Sequence, residues 1–220
     1  VLLPYNQYHR ENLIRENIHP SKIFCTGNTT FEVMRAFAPQ INDSDILSRL
    51  GLSSKGYILV TAHRSENVDN DEYLHKIIEA MGRVSKRFKL EVIYPMHPRT
   101  KSKLAAVEMP QGVRIMEPLG FYDFNHLLKE SFCVVSDSGT AAEEGLFYKV
   151  PNVSLRMATE RPETVESGAT IISGMDLNNI VESVETAVSL PWSATYDFAE
   201  HHSPSSVVIN AIRSQITNFF

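Results

Sequence analysis

The chain has 220 residues, of which 43% are hydrophobic and 21% charged, and its formal net charge is −5. A chain of this size can bury a hydrophobic core without disulfide or metal support. The acidic balance argues against nucleic acid as the main partner, because no basic excess is present to neutralise phosphates, but it leaves a small anionic ligand open.

Targeting and redox signals in the sequence are weak. Cys25 and Cys133 each lie among apolar residues, which favours two buried small side chains over a disulfide or a redox pair. No apolar run reaches the roughly 18 residues that a membrane span needs, so no membrane partner is expected. We expect a reducing, cytoplasmic location. The chain begins without methionine on an apolar, strand-like stretch, which predicts a fragment of a longer protein.

Taken in chain order, the first 40 residues stand apart. A polar helix is predicted at 6–17, and a break at 26–28 precedes another short helix. From residue 56 onward, apolar runs predict strands at 57–60, 90–94, 113–116, 132–135, 153–155 and 170–172. Helical patterns are predicted at 71–88, through 101–103, through 124–128, from about 140, at 177–188 and at 205–219. This alternation is typical of an α/β fold with a doubly wound parallel sheet, in which ligands bind at the carboxyl ends of the strands.

Polar residues follow the first two of these strands. His63 and Arg64 come directly after the first, where an imidazole could donate to a phosphate oxygen or transfer a proton. The alternative is a loop histidine bonded to the backbone, but the dense polar cluster favours function. After the second strand, two prolines restrict the loop that carries His97 and Arg99. A rigid turn with solvated charge explains that loop equally well.

The fourth strand runs directly into a helix. Thr140 and Glu143 have the spacing of a capping box, which predicts that the helix starts at Thr140. Ser138, Gly139 and Thr140 would then present hydroxyl and N–H groups at a helix N-terminus, which suits a phosphate. Glu144 lies one turn further, where a carboxylate could accept from a ribose diol. A plain capped helix is the alternative, because a capping box alone is a weak signal.

Charged residues also follow the fifth strand. Arg161 precedes a proline, which holds it extended and able to reach an anion. For Glu163 and Glu166 a solvated helix face is favoured over a binding role. The sequence lacks a Walker A loop, a G-x-G-x-x-G fingerprint, a metal-spaced Cys/His cluster and a nucleophile elbow, so no cofactor or metal is expected.

Together these segments resemble the UDP-N-acetylglucosamine 2-epimerase family of the non-hydrolysing bacterial type, whose two Rossmann-like domains form a GT-B architecture. The pair D-S-G-x-x-x-E-E and T-E-R-P-E is the most specific part of the match. Further matching stretches follow the family's order and spacing at 61–67, 94–98 and 117–119. The resemblance implies that residues 41–220 form the carboxyl-terminal UDP-binding domain with a terminal helix. It also implies that residues 1–40 are the tail of the amino-terminal domain and the interdomain connection.

The resemblance also implies roles for single residues. His63 matches the family's active-site histidine, and Glu144 matches its ribose-binding glutamate. Arg161 matches an arginine of the UDP site. Two further groups match UDP-contacting positions, namely the diphosphate positions Ser138, Gly139 and Thr140, and the uracil-pocket positions Leu119 and Phe124.

A second site is implied at the positions that bind an activating UDP-sugar in many relatives. Arg64, Glu66 and His97 match those positions. Ser65 stands where those relatives have arginine, and 97–99 reads His-Pro-Arg instead of His-Leu-Asn. Whether this chain has a working activating site is therefore an open question. These departures, with the stretches 120–124 and 138–140, resemble a branch that makes capsular and O-antigen sugars, with UDP-N-acetyl-L-fucosamine formed from its L-talose isomer as the product.

The family's reaction eliminates UDP to leave a 2-acetamidoglycal and then adds UDP back, inverting carbon 2 without cofactor or metal. The carboxylates that move the carbon 2 proton lie in the family's amino-terminal domain, which this sequence lacks. We therefore expect the chain to supply the UDP site, to be inactive alone, and to belong to a homodimer when full-length. Two other classes stay open: a GT-B glycosyltransferase domain and a non-catalytic UDP-sugar-binding module.

Overall fold

The structure is a computed structural model that describes residues 1–96, 98–104, 107–190 and 203–216. These residues form two compact units, one made of residues 1–38 and 203–216 and the other of residues 39–190. No helix among the described residues is both long and apolar enough to cross a membrane.

A six-stranded parallel sheet lies at the centre of the second unit. Its strands are β1 (Tyr57–Thr61), β2 (Glu91–Pro95), β3 (Val113–Met116), β4 (Cys133–Ser136), β5 (Asn152–Ser154) and β6 (Thr170–Ile172). The strand order is β3-β2-β1-β4-β5-β6, so the chain builds one half of the sheet outward from β1 and then the other half outward from β4. Ligands of such sheets bind in the crevice where this order reverses, here between β1 and β4.

Helices of the second unit connect the strands and cover both faces of the sheet, and further helices belong to the first unit. The helices are α1 (Gln7–Arg15), α2 (Thr29–Ala36), α3 (Ala38–Asn42), α4 (Ile46–Leu50), α5 (Ser65–Val68), α6 (Asp71–Phe88), α7 (Pro98–Lys103), α8 (Phe121–Glu130), α9 (Gly139–Tyr148), α10 (Pro162–Glu166), α11 (Leu177–Ser189) and α12 (Pro204–Ile216). The predicted α/β Rossmann-like fold is confirmed, and each predicted strand lies within one residue of its observed bounds.

Strand β1 shows why the strands read as continuous apolar runs. Successive side chains of a strand point to opposite faces of the sheet. Ile58 and Val60 pack into the cluster under α6 and α11, whereas Tyr57 and Leu59 pack into the cluster under α4 and α8. All four side chains are fully buried, because helices cover both faces.

The first unit contains α1, α2 and α12. Asn28 caps α2 by accepting from the N–H of Thr30 at 2.8 Å, directly after Gly27, whose φ of +82° suits the predicted break. Helix α12 packs against α2, and Glu32 of α2 accepts from the N–H and hydroxyl of Ser205. These hydrogen bonds lie within one unit, whereas the sequence predicts that the last helix belongs to the domain of residues 41–220.

Both cysteines are free thiols, as predicted. Cys133 is fully buried in β4, and burial raises the pKa of its thiol to about 12. Cys25 is half-buried. Neither residue has the exposed, low-pKa environment of a reactive cysteine.

Candidate functional site

Three neighbouring strands deliver most of the predicted site residues. Thr61 of β1, Ser136 of β4 and Ser154 of β5 are in register at their carboxyl ends. The loops that follow these strands therefore leave the sheet at the same edge. Hydrogen bonds and ion pairs between the three loops show that the structure brings them together.

The buried carboxylate of Asp137 ties the loop after β4 to the loop after β1. It accepts the backbone N–H groups of His63 at 3.0 Å and Arg64 at 2.9 Å, and the side-chain amide of Asn67 at 3.1 Å. The same amide of Asn67 also donates to the carbonyl of Leu155, after β5, at 3.2 Å. A buried carboxylate needs such donors to offset its lost hydration. Asp137 is not among the residues that the sequence predicts for the site, although an aspartate directly after a buried strand is a usable signal.

The imidazole of His63 faces the same carboxylate. Its Nδ1 lies 3.7 Å from Oδ1 of Asp137, and its side chain is 59% exposed. That distance is too long for a hydrogen bond, but it places the ring beside the carboxylate. Within the described part of the chain the ring makes no hydrogen bond to backbone, so the alternative of a backbone-bonded loop histidine is not what the structure shows.

The start of α9 differs from the predicted one. The N-cap is Ser138, whose Oγ accepts from the N–H of Ala141 at 3.4 Å, and the helix begins at Gly139. The predicted capping box is wrong, because the carboxylate of Glu143 binds a distant arginine instead of turning back to Thr140. The first amides of a helix lack partners within it, so Gly139 and Thr140 still present N–H groups at this end.

The two adjacent glutamates of α9 have different environments. Glu143 accepts from Nε of Arg161 at 2.7 Å, and its side chain is only 4% exposed. The anion that Arg161 reaches in the structure is thus this carboxylate. Glu144 is 7% exposed, and no residue in the described ranges donates a hydrogen bond to its carboxylate. Burial, with the nearby charge of Glu143, raises the pKa of Glu144 to about 7.

A row of charged side chains connects the loop after β1 to the start of α9. Arg64 donates to Glu66 at 3.1 Å and lies 4.0 Å from Glu160, which in turn pairs with Arg156 at 2.6 Å. A Cβ at Gly139 would lie 3.4 Å from Glu160 and 3.6 Å from Arg156. The hydrogen bond from Arg156 is the main cause that lowers the pKa of Glu160. Arg64 and Glu66, predicted at the activating site, are therefore linked electrostatically to the predicted diphosphate position.

The remaining predicted positions are less central. His97 lies outside the described residues. Leu119 and Phe124 are half-buried against the core cluster that contains Leu127, and Phe124 lies in α8, which packs against α9. The helix that carries Phe124 therefore lies beside the helix that carries Glu144.

The expectation of a solvated face for both glutamates of α10 is wrong for one of them. Glu163 is buried, and its Oε2 has no hydrogen-bond partner among the residues that the structure describes. Helix α10 has only five residues and packs against both β6 and α9, so its first turn faces inward. Glu166 is exposed, as expected.

Comparison with known proteins gives one consistent family. A family model described as UDP-N-acetylglucosamine 2-epimerase matches residues 1–205. A UDP-N-acetylglucosamine 2-epimerase of Methanococcus maripaludis is 32% identical over 211 residues, which cover 91% of this chain and 57% of the relative. The chain thus spans little more than half the length of this relative.

Solved structures agree with this result. The crystal structure of Methanocaldococcus jannaschii UDP-GlcNAc 2-epimerase in complex with UDP-GlcNAc and UDP is 30% identical, with a TM-score of 0.86, and the match covers 95% of this chain and 60% of that one. A spinosyn rhamnosyltransferase matches with a TM-score of 0.57 at 15% identity, covering 73% of this chain and 46% of that one. The second likeness shows a shared fold alone.

Proposed function

The chain belongs to the UDP-N-acetylglucosamine 2-epimerase family, and we propose that it forms the UDP-binding part of an enzyme that inverts carbon 2 of a UDP-N-acetylhexosamine. The observation that carries this proposal is the unpartnered, buried carboxyl of Glu144, one turn inside a helix whose amino end presents free N–H groups. A diphosphate at the helix end and a ribose beside the carboxyl would satisfy both.

The diphosphate is proposed to bind at Ser138, Gly139 and Thr140. The N–H groups and the helix dipole at this end favour an anion. Arg156, paired with Glu160, lies beside Gly139, and Thr140 is exposed, so an incoming ligand meets an arginine and an accessible hydroxyl. In this proposal the helix end and Arg156 stabilise the negative charge of the bound diphosphate, and no metal ion takes part.

The nucleoside is proposed to lie along α9 toward α8. Ribose hydroxyls would donate to Glu144, a charge-assisted contact for a group that has no other donor in the described structure. The uracil would pack near Leu119 and Phe124, which are half-buried at the adjacent helix. Arg161 would act on the site through Glu143, to which it is bound.

The proposed reaction breaks the bond from carbon 1 to the diphosphate oxygen and removes the proton from carbon 2, leaving UDP and a 2-acetamidoglycal. Re-addition of UDP, with a proton delivered to the opposite face of carbon 2, gives the inverted sugar. His63 would donate to the departing diphosphate as negative charge develops there. The carboxylates that move the carbon 2 proton are proposed to lie in an amino-terminal domain, so this chain alone would bind UDP without turnover.

Finer assignments rest on sequence pattern. Ser65, Thr140 and the stretch 120–124 support a branch that forms UDP-N-acetyl-L-fucosamine for capsular or O-antigen polysaccharide in the bacterial cytoplasm. The full-length enzyme is proposed to be a homodimer. Arg64, Glu66 and His97 are proposed as the activating site, and the link from Arg64 through Glu160 and Arg156 to Gly139 would couple it to the substrate site.

The proposal is tested with a two-domain protein that carries this chain, incubated with UDP-GlcNAc in deuterated water and followed by proton NMR. An epimerase inverts carbon 2 and incorporates deuterium there without any acceptor. A glycosyltransferase would consume UDP-GlcNAc only when an acceptor is added, and that outcome would overturn the proposal. A protein that binds UDP-GlcNAc but leaves unchanged both it and the L-talose isomer of UDP-N-acetyl-L-fucosamine would identify a binding module instead.

A further inference from the structure

We propose that Asp137 is a positioning residue, which holds the loop of His63 and orients its imidazole with Nδ1 toward the carboxylate and Nε2 away from it. The part of this inference that concerns UDP rests on the proposed function. The orientation of the ring does not, because it follows from the contacts of Asp137 alone.

The two oxygens of Asp137 are unequally occupied. Oδ2 accepts from the N–H of His63 at 3.0 Å, the N–H of Arg64 at 2.9 Å and the amide of Asn67 at 3.1 Å. Oδ1 shares only the N–H of His63, at 3.1 Å. A carboxylate has about four acceptor sites, two on each oxygen. Oδ1 therefore has room for one more donor.

The ring of His63 can supply that donor. Its Nδ1 lies 3.7 Å from Oδ1, and the carboxylate is 0% exposed, so water does not compete freely for the site. A shift of under 1 Å brings the pair to hydrogen-bonding distance, and such bonds are often long until a ligand binds. The backbone bonds at His63 and Arg64 keep the ring in range.

The orientation has a chemical consequence. With its proton on Nδ1, facing Oδ1, a neutral ring has an unprotonated Nε2, and Nε2 can donate only when the ring is a cation. Donation to a diphosphate then comes from a charged imidazolium, which is stronger than donation from a neutral ring. A carboxylate that fixes the histidine tautomer in this way acts through the ring without touching the substrate.

The test is NMR of the chain labelled with ¹⁵N-histidine, with His63→Gln used to assign the His63 signals. The neutral ring of His63 is expected to carry its proton on Nδ1, and Asp137→Asn is expected to shift it toward the Nε2–H form. Ser131→Ala is the matched control. Ser131 lies just before the start of β4, whereas Asp137 follows its end, and the change removes a buried hydrogen bond from Oγ to the carbonyl of Leu128 at 2.8 Å. It should lower the melting temperature without changing the tautomer.

Two results would overturn the inference. An Nε2–H tautomer in the unmutated chain is decisive even where Asp137→Asn does not fold. An unchanged tautomer in folded Asp137→Asn is equally decisive.

Steady-state kinetics of the two-domain enzyme give a second test. Asp137→Asn should lower kcat by about 10- to 100-fold, the range found when the partner that orients a metal-bound histidine is removed, and should change KM less. Ser131→Ala should leave kcat unchanged. If the unmutated enzyme does not epimerise, the proposed function fails and the tautomer result still stands. If it does and Asp137→Asn has normal kcat, the positioning role fails.

Discussion

Nε of Arg161 lies 2.7 Å from Oε1 of Glu143, and the pair joins the loop before α10 to the interior face of α9. The two residues are 18 positions apart. The neighbouring Glu144 has a buried carboxyl with the negative charge of Glu143 beside it.

Removing either partner should destabilise the chain. Arg161→Ala leaves a carboxylate that is 4% exposed without its cation, and such losses cost about 3–5 kcal/mol when the pair is fully buried. Because Arg161 is partly exposed, we expect about 2–3 kcal/mol by urea denaturation. In a double-mutant cycle with Glu143→Gln, the two effects should be non-additive by about 1–2 kcal/mol. Additive losses would show that Arg161 contributes to stability through other contacts.

Glu144 should make stability depend on pH. Its pKa is raised to about 7 by burial, so the folded chain holds this proton more tightly than the unfolded chain does. The resulting stabilisation is complete below the ordinary pKa of 4.5 and is lost as the pH rises through about 7. The lost free energy is roughly 3 kcal/mol, at 1.36 kcal/mol per pKa unit.

Glu144→Gln, which mimics the neutral form, should match the unmutated chain near pH 5 and exceed its melting temperature at pH 8. Glu182→Gln, on an exposed position of α11, is the control and should show no such pH-dependent gain. A Glu144→Gln chain that is no more stable at pH 8 than at pH 5, relative to the unmutated chain, would contradict the raised pKa.

If Glu144 binds the ribose, its removal should lower the affinity for UDP and not the affinity for pyrophosphate. Glu144→Ala should weaken UDP by roughly 10- to 150-fold, because a hydrogen bond to a charged group contributes about 1.5–3 kcal/mol. Pyrophosphate, which has no ribose, should bind as before. Thr140→Ala is the matched comparison, since a change at the helix end should weaken both ligands. Equal losses of UDP and pyrophosphate on Glu144→Ala, measured by calorimetry, would mean that Glu144 supports the helix and does not bind ribose.

The sheet could be predicted from the sequence because burial on both faces leaves a local signal. Tyr57, Ile58, Leu59 and Val60 are all apolar and all fully buried. Such runs, alternating with helical patterns, have few other structural explanations. The carboxyl ends of the strands, and with them the loops of His63 and Arg161, followed from the same pattern.

The site itself depended on contacts that sequence spacing does not contain. Thr140 and Glu143 have the spacing of a capping box, but Glu143 pairs with Arg161 and the helix starts at Gly139 with Ser138 as its N-cap. Glu163 is buried only because α10 packs against β6 and α9. The role of Asp137 likewise depends on amides that lie more than 70 positions earlier in the chain.

His63 is the residue on which the mechanistic part of the proposal depends. If it donates to the diphosphate while the bond to carbon 1 breaks, its contact strengthens as charge develops on the departing oxygens. An interaction that is stronger in the transition state lowers kcat when it is removed and changes KM less. In a two-domain enzyme, His63→Ala should therefore lower kcat on the order of 10²- to 10⁴-fold.

Two further measurements distinguish this role from that of a residue that only shapes the loop. His63→Asn keeps a donor of similar reach but cannot carry a positive charge, so it should recover only part of the lost kcat. Thermal melts should show little loss for either variant, because the backbone N–H at position 63 still donates to Asp137 and the ring is 59% exposed. A folded His63→Ala enzyme keeps the backbone hydrogen bond to Asp137 but has no imidazole ring. A near-normal kcat for this variant would therefore show that the ring takes no part in the reaction.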